Sequence, residues 1–276
     1  MSDLAGAHPA LKAALNKRGY HKLTPVQEAM LNPDLNGADM LVSAQTGSGK
    51  TVAFGLAMAP TLLGDKPAFD SLENPAALVV APTRELALQV KRELEWLYAS
   101  VGLKICSCVG GMDMRDERRA LSRGAHIVVG TPGRLCDHIR RNSLDLSTLA
   151  ALVLDEADEM FDLGFKEELE FIIEATPESR QTLLFSATVP AAIEKMATHY
   201  QRDAVRVETI KQKEQHSDIE YQAVMVAPRE RENAIVNLLR FHDAANAMVF
   251  CNTRATVNHM MSRFNNRGFS AVALSG

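Results

Sequence analysis

The sequence predicts an α/β fold in which a parallel sheet carries helices on both faces. Short apolar runs rich in β-branched residues alternate with stretches of helical periodicity. The runs are continuously apolar, which is typical of strands that are covered on both faces. A polar and charged stretch at residues 208–218 interrupts this rhythm, and the alternation of strands and helices then restarts. These observations together predict one α/β domain, a linker and the beginning of a second α/β domain.

The elements of the first domain follow from these patterns. Strands are predicted at residues 40–42, 77–81, 127–130, 151–155 and 182–186. Helices are predicted at residues 51–63, 84–98, 132–141 and 166–175. The second of these helices carries an apolar stripe of Leu86, Val90, Leu94 and Leu97. The third begins with Pro132 after Thr131, which is a helix-start signal. Strands that alternate with helices in this way form parallel sheets.

Composition places the domain boundaries. Residues 1–208 are predicted to form the first domain, and residues 209–218 an exposed linker because nearly all of them are polar. Residues 219–276 are then predicted to contain strands at 219–226, 247–251 and 270–274, and helices at 231–240 and 255–267. A stretch of about 58 residues is short for an α/β domain, so the second domain is predicted to be incomplete.

Charge and cysteine usage narrow the class of protein. The net charge of −4 excludes a uniformly polycationic protein, but a local basic surface remains compatible with it. The four cysteines form no CxxC pair and no zinc spacing, which favours reduced thiols. We find neither a signal peptide nor a run of about 18 apolar residues, so we expect a cytoplasmic protein without a membrane span.

A candidate phosphate-binding loop lies between the first predicted strand and the first predicted helix. Its residues are Ala44, Gln45, Thr46, Gly47, Ser48, Gly49, Lys50 and Thr51. Glycines let backbone N–H groups turn toward phosphate oxygens, and the helix N-terminus adds partial positive charge. Lys50 is predicted to reach the β- and γ-phosphates, and the Thr51 hydroxyl to bind Mg²⁺. The alternative is a Gly/Ser-rich turn that binds nothing.

An acidic quartet, Asp155-Glu156-Ala157-Asp158, follows the predicted strand at 151–155. The carboxyl ends of parallel strands face the ligand crevice, so Asp155 is a candidate Mg²⁺ ligand. Glu156 is a candidate base that orients or deprotonates the attacking water. With Lys50 these two residues form the candidate catalytic set, and ATP and Mg²⁺ are the expected cofactors. The alternative is a solvated acidic surface.

These segments, together with Ser186-Ala187-Thr188, resemble the DEAD-box RNA helicases of superfamily 2. Further matching segments occur in the same order: Gly19-Tyr20, Thr24-Pro25-Val26-Gln27, Pro82-Thr83-Arg84-Glu85-Leu86-Ala87, Gly110-Gly111, Thr131-Pro132-Gly133-Arg134 and Val249-Phe250-Cys251-Asn252-Thr253. The resemblance covers almost the whole chain. It implies two RecA-like domains, the second incomplete, and RNA-stimulated ATP hydrolysis that unwinds short duplexes.

The resemblance assigns further residues to ATP. Gln27 would pair with the adenine edge, and Tyr20 lies in the same adenine-binding segment. No aromatic residue precedes Tyr20, whereas family members carry one that stacks on adenine. Ser186 and Thr188 would hydrogen-bond Asp158 and couple the ATP state to the RNA state. For Gln27 the alternative is an ordinary helix-start residue, and for the two hydroxyls it is a cap on the next helix.

RNA is the partner that the resemblance implies, through its backbone and without sequence specificity. The expected contact residues are Pro82, Thr83, Arg84, Gly110, Gly111, Thr131, Pro132, Gly133 and Arg134. Arg84 is alternatively a solvated helix residue. The arginine-rich segment 115–123 is interpreted as the wet face of a helix, with Asp116 and Glu117 offsetting part of its charge.

Two functions remain open from sequence. The first is an RNA-dependent ATPase that clamps and unwinds RNA, and the second is an RNA-binding or annealing module in which ATP is only a ligand. In the family, arginines of the second domain complete the ATP site, and their equivalents would lie beyond Gly276, so we expect this chain to hydrolyse ATP very slowly. Self-association through the incomplete second domain is left open, and the sequence does not identify the RNA, the pathway or protein partners.

Overall fold

The computed structural model describes Leu4 and residues 6–69, 74–209 and 220–275. The chain separates into two compact units, Met1–Glu214 and Gln215–Gly276. Residues 210–218 of the predicted linker and residue 219 of the predicted second domain lie outside the described residues. Each unit is therefore described by itself.

The first unit is built on a seven-stranded sheet in which every pair of neighbouring strands is parallel. The strands are β1 (Met40–Ser43), β2 (Ala77–Val80), β3 (Ile105–Cys108), β4 (Ile127–Gly130), β5 (Ala151–Leu154), β6 (Gln181–Ser186) and β7 (Val205–Glu208). Their order across the sheet is β3-β4-β2-β5-β6-β1-β7. The predicted parallel α/β fold is thereby confirmed.

Helices cover both faces of this sheet. They are α1 (Pro9–Lys17), α2 (Pro25–Ala29), α3 (Lys50–Leu63), α4 (Arg84–Leu97), α5 (Met114–Ser122), α6 (Pro132–Arg140), α7 (Ala157–Asp162), α8 (Lys166–Glu174) and α9 (Ala191–Tyr200). The four predicted helices of this unit all form, with ends displaced by one residue at most. None of the helices in the described part of the chain has the length and apolar character that crossing a bilayer requires.

The alternating side chains of the strands divide the interior into two cores. On β2, Val79 contributes to the core that contains buried residues of α1, α2, α3 and α4. Leu78 and Val80 point to the opposite face and join the core formed with α5, α6, α7, α8 and α9. All four residues of β2 are fully buried. This explains why the central strands are continuously apolar in sequence.

Two strands were absent from the sequence prediction, and both are at the edges of the sheet. β3 alternates between partly buried and buried residues, and most of β7 is exposed. Neither strand is a continuous apolar run, because an edge strand has one free side. The criterion that identified the central strands therefore does not apply to them.

The strand order divides the carboxyl edge of the sheet into two parts. The segments after β2, β3 and β4 are neighbours on one side, and those after β5, β6 and β1 are neighbours on the other. The phosphate loop follows β1 and the acidic quartet follows β5, with β6 between them. The three segments that were expected to contact RNA follow β2, β3 and β4. The fold thus sorts the sequence motifs into two groups.

The second unit corrects part of the prediction. Residues 220–275 contain the helices α10 (Arg231–Phe241) and α11 (Arg254–Asn265), which pack through Val236, Met260 and Phe264. The strands predicted at 219–226, 247–251 and 270–274 do not form among these described residues. Parallel strands require neighbours and a cover on both faces. Here Phe250 is 87% exposed and Val272 is 93% exposed, so the apolar runs lack the packing that would hold them in a sheet.

Candidate functional site

The loop after β1 has the backbone conformation of a phosphate cradle. Gly47 and Gly49 adopt positive φ angles of 82° and 87°, which favour glycine because other residues clash there. Gly49 is the residue that caps the N-terminus of α3. A Cβ on Gly49 would also collide with the side-chain amide of Gln27. The Ser48 hydroxyl closes the loop by donating to the Gln45 carbonyl over 2.7 Å.

Lys50, the first residue of α3, connects the loop to the acidic quartet. Its Nζ lies 3.2 Å from Glu156 Oε1, and the Lys50 side chain is only 6% exposed. The Thr46 hydroxyl donates to the same Glu156 oxygen over 3.0 Å. A loop cation and a loop hydroxyl therefore converge on the carboxylate that sequence analysis proposed as the base.

Glu156 occupies an unusual backbone conformation. Its φ and ψ are 53° and 52°, in the left-handed region, where a non-glycine residue costs roughly 1–2 kcal/mol. This conformation makes the sharp turn from β5 into α7. Strained residues of this kind concentrate at functional sites, where the surroundings enforce them.

The protonation of Glu156 is set by competing influences. Burial raises its pKa, but hydrogen bonding with Glu159, the charge of Lys50 and the Thr46 hydrogen bond outweigh burial and hold the pKa below the ordinary value. Hydrogen bonding with Glu156, burial and the charge of Glu156 raise the pKa of Glu159 to about 7. Glu156 is therefore ionised at neutral pH, whereas Glu159 takes up its proton as the pH falls through about 7. Sequence analysis did not identify Glu159.

Asp155, at the end of β5, is a buried carboxylate with an unused oxygen. The residue is 2% exposed, and its Oδ1 has no hydrogen-bond partner in the described part of the chain. Burial raises its pKa to about 6. A buried carboxylate oxygen without a partner is the type of ligand that Mg²⁺ accepts. The residues present, Asp155 and the half-buried Thr51 of α3, fit that ion.

Asp158, Ser186 and Thr188 form a hydrogen-bonded group. The Thr188 hydroxyl and backbone N–H donate to Asp158 Oδ2 over 2.7 and 2.9 Å. The backbone N–H of Asp158 donates to Ser186 Oγ over 3.2 Å, and the Ser186 carbonyl accepts the N–H of Ala44 over 3.0 Å. Burial raises the pKa of Asp158, but the hydrogen bonds from Thr188 and with Ser186 outweigh burial and lower it. The group links the phosphate loop to the acidic quartet.

The two residues expected near adenine are placed differently from one another. Gln27 is 1% exposed, and its amide donates to the Gly49 carbonyl over 3.2 Å and accepts the Thr24 N–H over 3.1 Å. The amide thus braces the phosphate loop. Tyr20 stacks on Trp96 of α4, with ring centroids 5.6 Å apart. The Tyr20 side chain remains partly exposed.

The segments after β2, β3 and β4 meet at a group of residues that contains Arg84, Gly110, Gly111, Glu117 and Arg134. Arg84 is exposed at the start of α4, and a Cβ on Gly111 would lie 2.8 Å from its guanidinium. Arg134, in the first turn of α6, donates to Glu117 over 3.1 Å and to the Met112 carbonyl over 3.2 Å. The segments after β2, β3 and β4 therefore come together, with two arginines among them.

Some of the remaining residues expected to contact RNA cap helices or are buried, and others are exposed. The Thr83 hydroxyl accepts the Leu86 N–H over 3.2 Å and so caps α4. Thr131 caps α6 through its backbone, followed by the buried Pro132 and the exposed Gly133. Pro82 is buried at the end of β2. The polar surface of this group is therefore provided by the arginines, by the partly exposed Thr131 and by backbone at Gly110, Gly111 and Gly133.

Glu117 was misassigned from sequence. The arginines of α5 are exposed, as predicted, but Glu117 is 4% exposed and so does not belong to the wet face. It accepts the Val109 N–H over 2.9 Å and contacts His138 Nε2 at 2.8 Å. The signal available in sequence was its position one helical turn before Leu121, which is also buried.

Cys108, Glu117 and His138 form the one group of potential metal ligands found among the described residues, with their ligand atoms within 4.8 Å of one another. Glu117 is already bonded to Val109 and Arg134, and His138 Nδ1 contacts Ser143 Oγ at 2.8 Å. Burial raises the pKa of the Cys108 thiol far above its ordinary value. A neutral thiol and a carboxylate neutralised by an arginine favour a hydrogen-bonded network over a metal ion.

Comparison with known proteins agrees with this geometry. The profile of the family described as DEAD/DEAH box helicase matches residues 24–196. The chain is 39% identical over 266 residues to the "DEAD-box ATP-dependent RNA helicase CshA" of Streptococcus pneumoniae, covering 96% of this chain and 50% of that protein. It is 40% identical over 276 residues to the "ATP-dependent RNA helicase DeaD" of Escherichia coli, covering 100% of this chain and 43% of that protein.

A solved structure is similar as well. The crystal structure of a DEAD box protein from the hyperthermophile Methanococcus jannaschii superposes with a TM-score of 0.67 and 33% sequence identity, covering 97% of this chain and 70% of that one. The chain thus spans about half the length of the curated relatives that it matches.

Proposed function

Because this chain belongs to the DEAD/DEAH box helicase family, we propose that it supplies the ATP-binding and RNA-binding domain of an ATP-dependent RNA helicase. The enzyme would clamp and locally unwind short RNA duplexes while ATP is bound, and hydrolysis of the ATP would release the RNA. The observation that carries the proposal is the convergence of Lys50 and Thr46 on Glu156, beside the buried and unpartnered oxygen of Asp155.

ATP would bind with its phosphates in the loop of residues 44–51. Backbone N–H groups at the start of α3 would face the phosphate oxygens, and Lys50 would leave Glu156 to neutralise the β- and γ-phosphates. Thr51 and Asp155 would hold Mg²⁺, which neutralises the charge that develops on the phosphates. Release from Lys50 would free Glu156 for the attacking water.

Hydrolysis would use Glu156 as the base. The carboxylate is ionised at neutral pH, so it can accept a proton from the water that attacks the γ-phosphorus. The bond from water oxygen to phosphorus forms while the bond from phosphorus to the bridging oxygen breaks, leaving ADP and inorganic phosphate. Positioning and electrostatic stabilisation supply most of the rate enhancement in such reactions.

The RNA backbone would bind along the ends of β2, β3 and β4. Arginine side chains and backbone N–H groups are suited to phosphates and do not read sequence. The group of Asp158, Ser186 and Thr188 would couple this surface to ATP, because it is bonded to the phosphate loop through Ala44. Gln27 would read the adenine edge after exchanging its contact with Gly49.

The proposal includes the organisation of the chain. Residues 1–208 would form the RecA-like ATP-binding domain, residues 209–218 a linker, and residues 219–276 the beginning of a second RecA-like domain. Exposed apolar residues of the second unit, such as Met225 and Phe250, support self-association of the chain, which sedimentation would detect as a dimer. A cytoplasmic location is supported by four cysteines that are all free.

ATP turnover with and without single-stranded RNA tests the main proposal. We expect stimulation by RNA in a protein that continues the chain to a complete second domain, and very slow turnover by the 276-residue chain itself. The Glu156→Gln variant is the control for contaminating ATPases. If the longer protein shows no RNA-stimulated turnover, the result would instead support an RNA-binding or annealing module in which ATP is only a ligand.

A further inference from the structure

The turn that follows β3 is closed into a ring by two charged side chains. The turn comprises residues 109–112 and contains Gly110 and Gly111. At its start, the Val109 N–H donates to Glu117 Oε1 over 2.9 Å. At its end, the Met112 carbonyl accepts from Arg134 over 3.2 Å. Arg134 then bonds Glu117 Oε2 over 3.1 Å, which completes the ring.

Glu117 is also held in place by a second buried side chain, that of His138. His138, at the far end of α6, is completely buried and lies 2.8 Å from Glu117 Oε2. Its other ring nitrogen contacts Ser143 Oγ at 2.8 Å, and the same hydroxyl donates to the His138 carbonyl over 3.1 Å. Both oxygens of Glu117 are therefore engaged, and the carboxylate cannot rotate without breaking several bonds. A buried network that is fully satisfied holds a single geometry.

We infer that Glu117 is a positioning residue for RNA binding, supported by His138, and that it keeps the turn at 109–112 and the Arg134 guanidinium in place before RNA arrives. The inference rests on the proposed function, since it names which residues organise the proposed RNA surface. Two adjacent glycines have large conformational freedom, and Gly111 adopts a φ of 78°. Without the ring, this turn would be ordered only on binding, at a cost in affinity.

The hydrogen-bonded ring lies apart from the phosphate loop, so a role in RNA binding can be distinguished from a general effect on stability. Glu117 bonds to none of the residues that surround the phosphate loop, and its partners are the turn itself and α6. Arg134 keeps hydrogen-bonding capacity for RNA, because its side chain is 14% exposed and each of the two terminal nitrogens that donate to the ring carries a second hydrogen. Loss of the ring should therefore weaken RNA binding and leave nucleotide binding unchanged.

The test uses Glu117→Ala and Glu117→Gln in the 276-residue chain. Fluorescence anisotropy with a labelled single-stranded oligouridine would give the Kd for RNA, and hydrogen exchange would report the Val109 amide. We expect Glu117→Ala to raise the RNA Kd about tenfold and to accelerate exchange at Val109. Glu117→Gln keeps an acceptor for Val109, so it should retain protection there and recover part of the RNA affinity.

Asp39→Asn is the matched control for destabilisation. Asp39 is 3% exposed and accepts the backbone N–H groups of Thr182 and Arg202, both over 2.7 Å, at the opposite end of the sheet. Its variant should lower the melting temperature and leave the RNA Kd unchanged. A wild-type RNA Kd in Glu117→Ala, or equal weakening by Asp39→Asn, would overturn the inference. A wild-type chain that binds no RNA would instead overturn the proposed function.

Discussion

The two parts of the carboxyl edge differ in how their polar groups are satisfied. After β5, β6 and β1, Asp155 keeps a buried oxygen without a partner in the described chain, and Lys50 is paired with the carboxylate of Glu156. After β2, β3 and β4, Glu117 has both oxygens bonded and closes a ring around a turn. In the proposed function the first part would change when ATP binds, whereas the second is already assembled. A single sheet can thus carry one responsive site and one rigid site.

The largest effect is expected at the responsive site. Glu156→Gln keeps the shape of the side chain but cannot accept a proton, so single-turnover hydrolysis should slow by about 10²–10⁴-fold. Binding of ATP and of RNA should stay near the wild-type value. Rapid-quench measurements with an excess of the longer protein, which continues to a complete second domain, in the presence of RNA would give the rate.

Glu159→Gln is the control for that measurement. Glu159 takes up a proton as the pH falls through about 7, and glutamine imitates that protonated form, so the hydrolysis rate of the variant should remain close to that of the wild type. Comparable rates for wild type and Glu156→Gln would remove Glu156 from the role of base.

Lys50→Ala tests whether the two parts are independent. Removal of the loop cation should raise the Kd for ATP about 100-fold, because a charged hydrogen-bond donor to phosphate is lost. RNA affinity in the absence of nucleotide should not change. Lys91→Ala, which removes a partly exposed lysine paired with Glu95 at 3.7 Å, is the control for lost charge. Unaltered ATP affinity in Lys50→Ala would show that the loop does not bind phosphate.

Asp155→Asn should stabilise the fold while impairing the site. The folded-state pKa of Asp155, about 6, exceeds the unfolded value of 3.8, so the folded state binds the additional proton. The resulting stabilisation is complete below pH about 4 and is lost as the pH rises through about 6. Asparagine does not ionise, so above pH 6 the variant should gain on the order of 3 kcal/mol.

Urea denaturation without Mg²⁺ at pH 4 and pH 7.5 would measure this difference. The gain should be present at pH 7.5 and nearly absent at pH 4. Asp39→Asn, whose carboxylate is fully bonded, should lose stability at pH 7.5. If both variants lose stability alike at that pH, burial does not raise the pKa of Asp155 as described.

Gln27→Ala gives the smallest expected effect. It tests whether the Gln27 amide binds adenine or only supports the phosphate loop through Gly49. If the amide reads adenine, the Kd for ATP should rise about tenfold and the Kd for GTP should change little. If the amide only braces Gly49, both nucleotides should weaken equally. Titration with the two nucleotides under identical conditions distinguishes these roles.

Sequence reasoning succeeded where a local pattern has one physical cause. Continuous apolar runs identified the central strands because both faces of those strands are buried, as in β2. The turn at residues 44–51 could be predicted because Gly47 and Gly49 permit the positive φ angles that its backbone adopts, while phosphate binding by this turn stays a prediction. Such features are written in adjacent residues, so they can be read without knowledge of the fold.

The failures involve partners that are distant in sequence. Glu117 was assigned to a wet surface because its partners, Val109, Arg134 and His138, lie on other elements. The elevated pKa of Glu159 depends on the turn at Glu156, which only the structure reveals. The strands predicted in residues 219–276 were inferred from apolar runs alone. Among residues 220–275 those runs do not pair with other strands. Local patterns indicate a preference, and tertiary contacts decide whether it is realised.

The hydrogen bonds of Ser186 bear on how quickly the proposed binding of ATP could affect the proposed binding of RNA. Its carbonyl is bonded to the first residue of the phosphate loop, and its hydroxyl is bonded to the Asp158 backbone and to the Thr188 carbonyl. A displacement of the loop therefore reaches the acidic quartet through one residue. If this group couples the ligands as proposed, the coupling would need no hinge and would proceed on the nanosecond-to-microsecond timescale of loop motion, before any slower movement of whole domains.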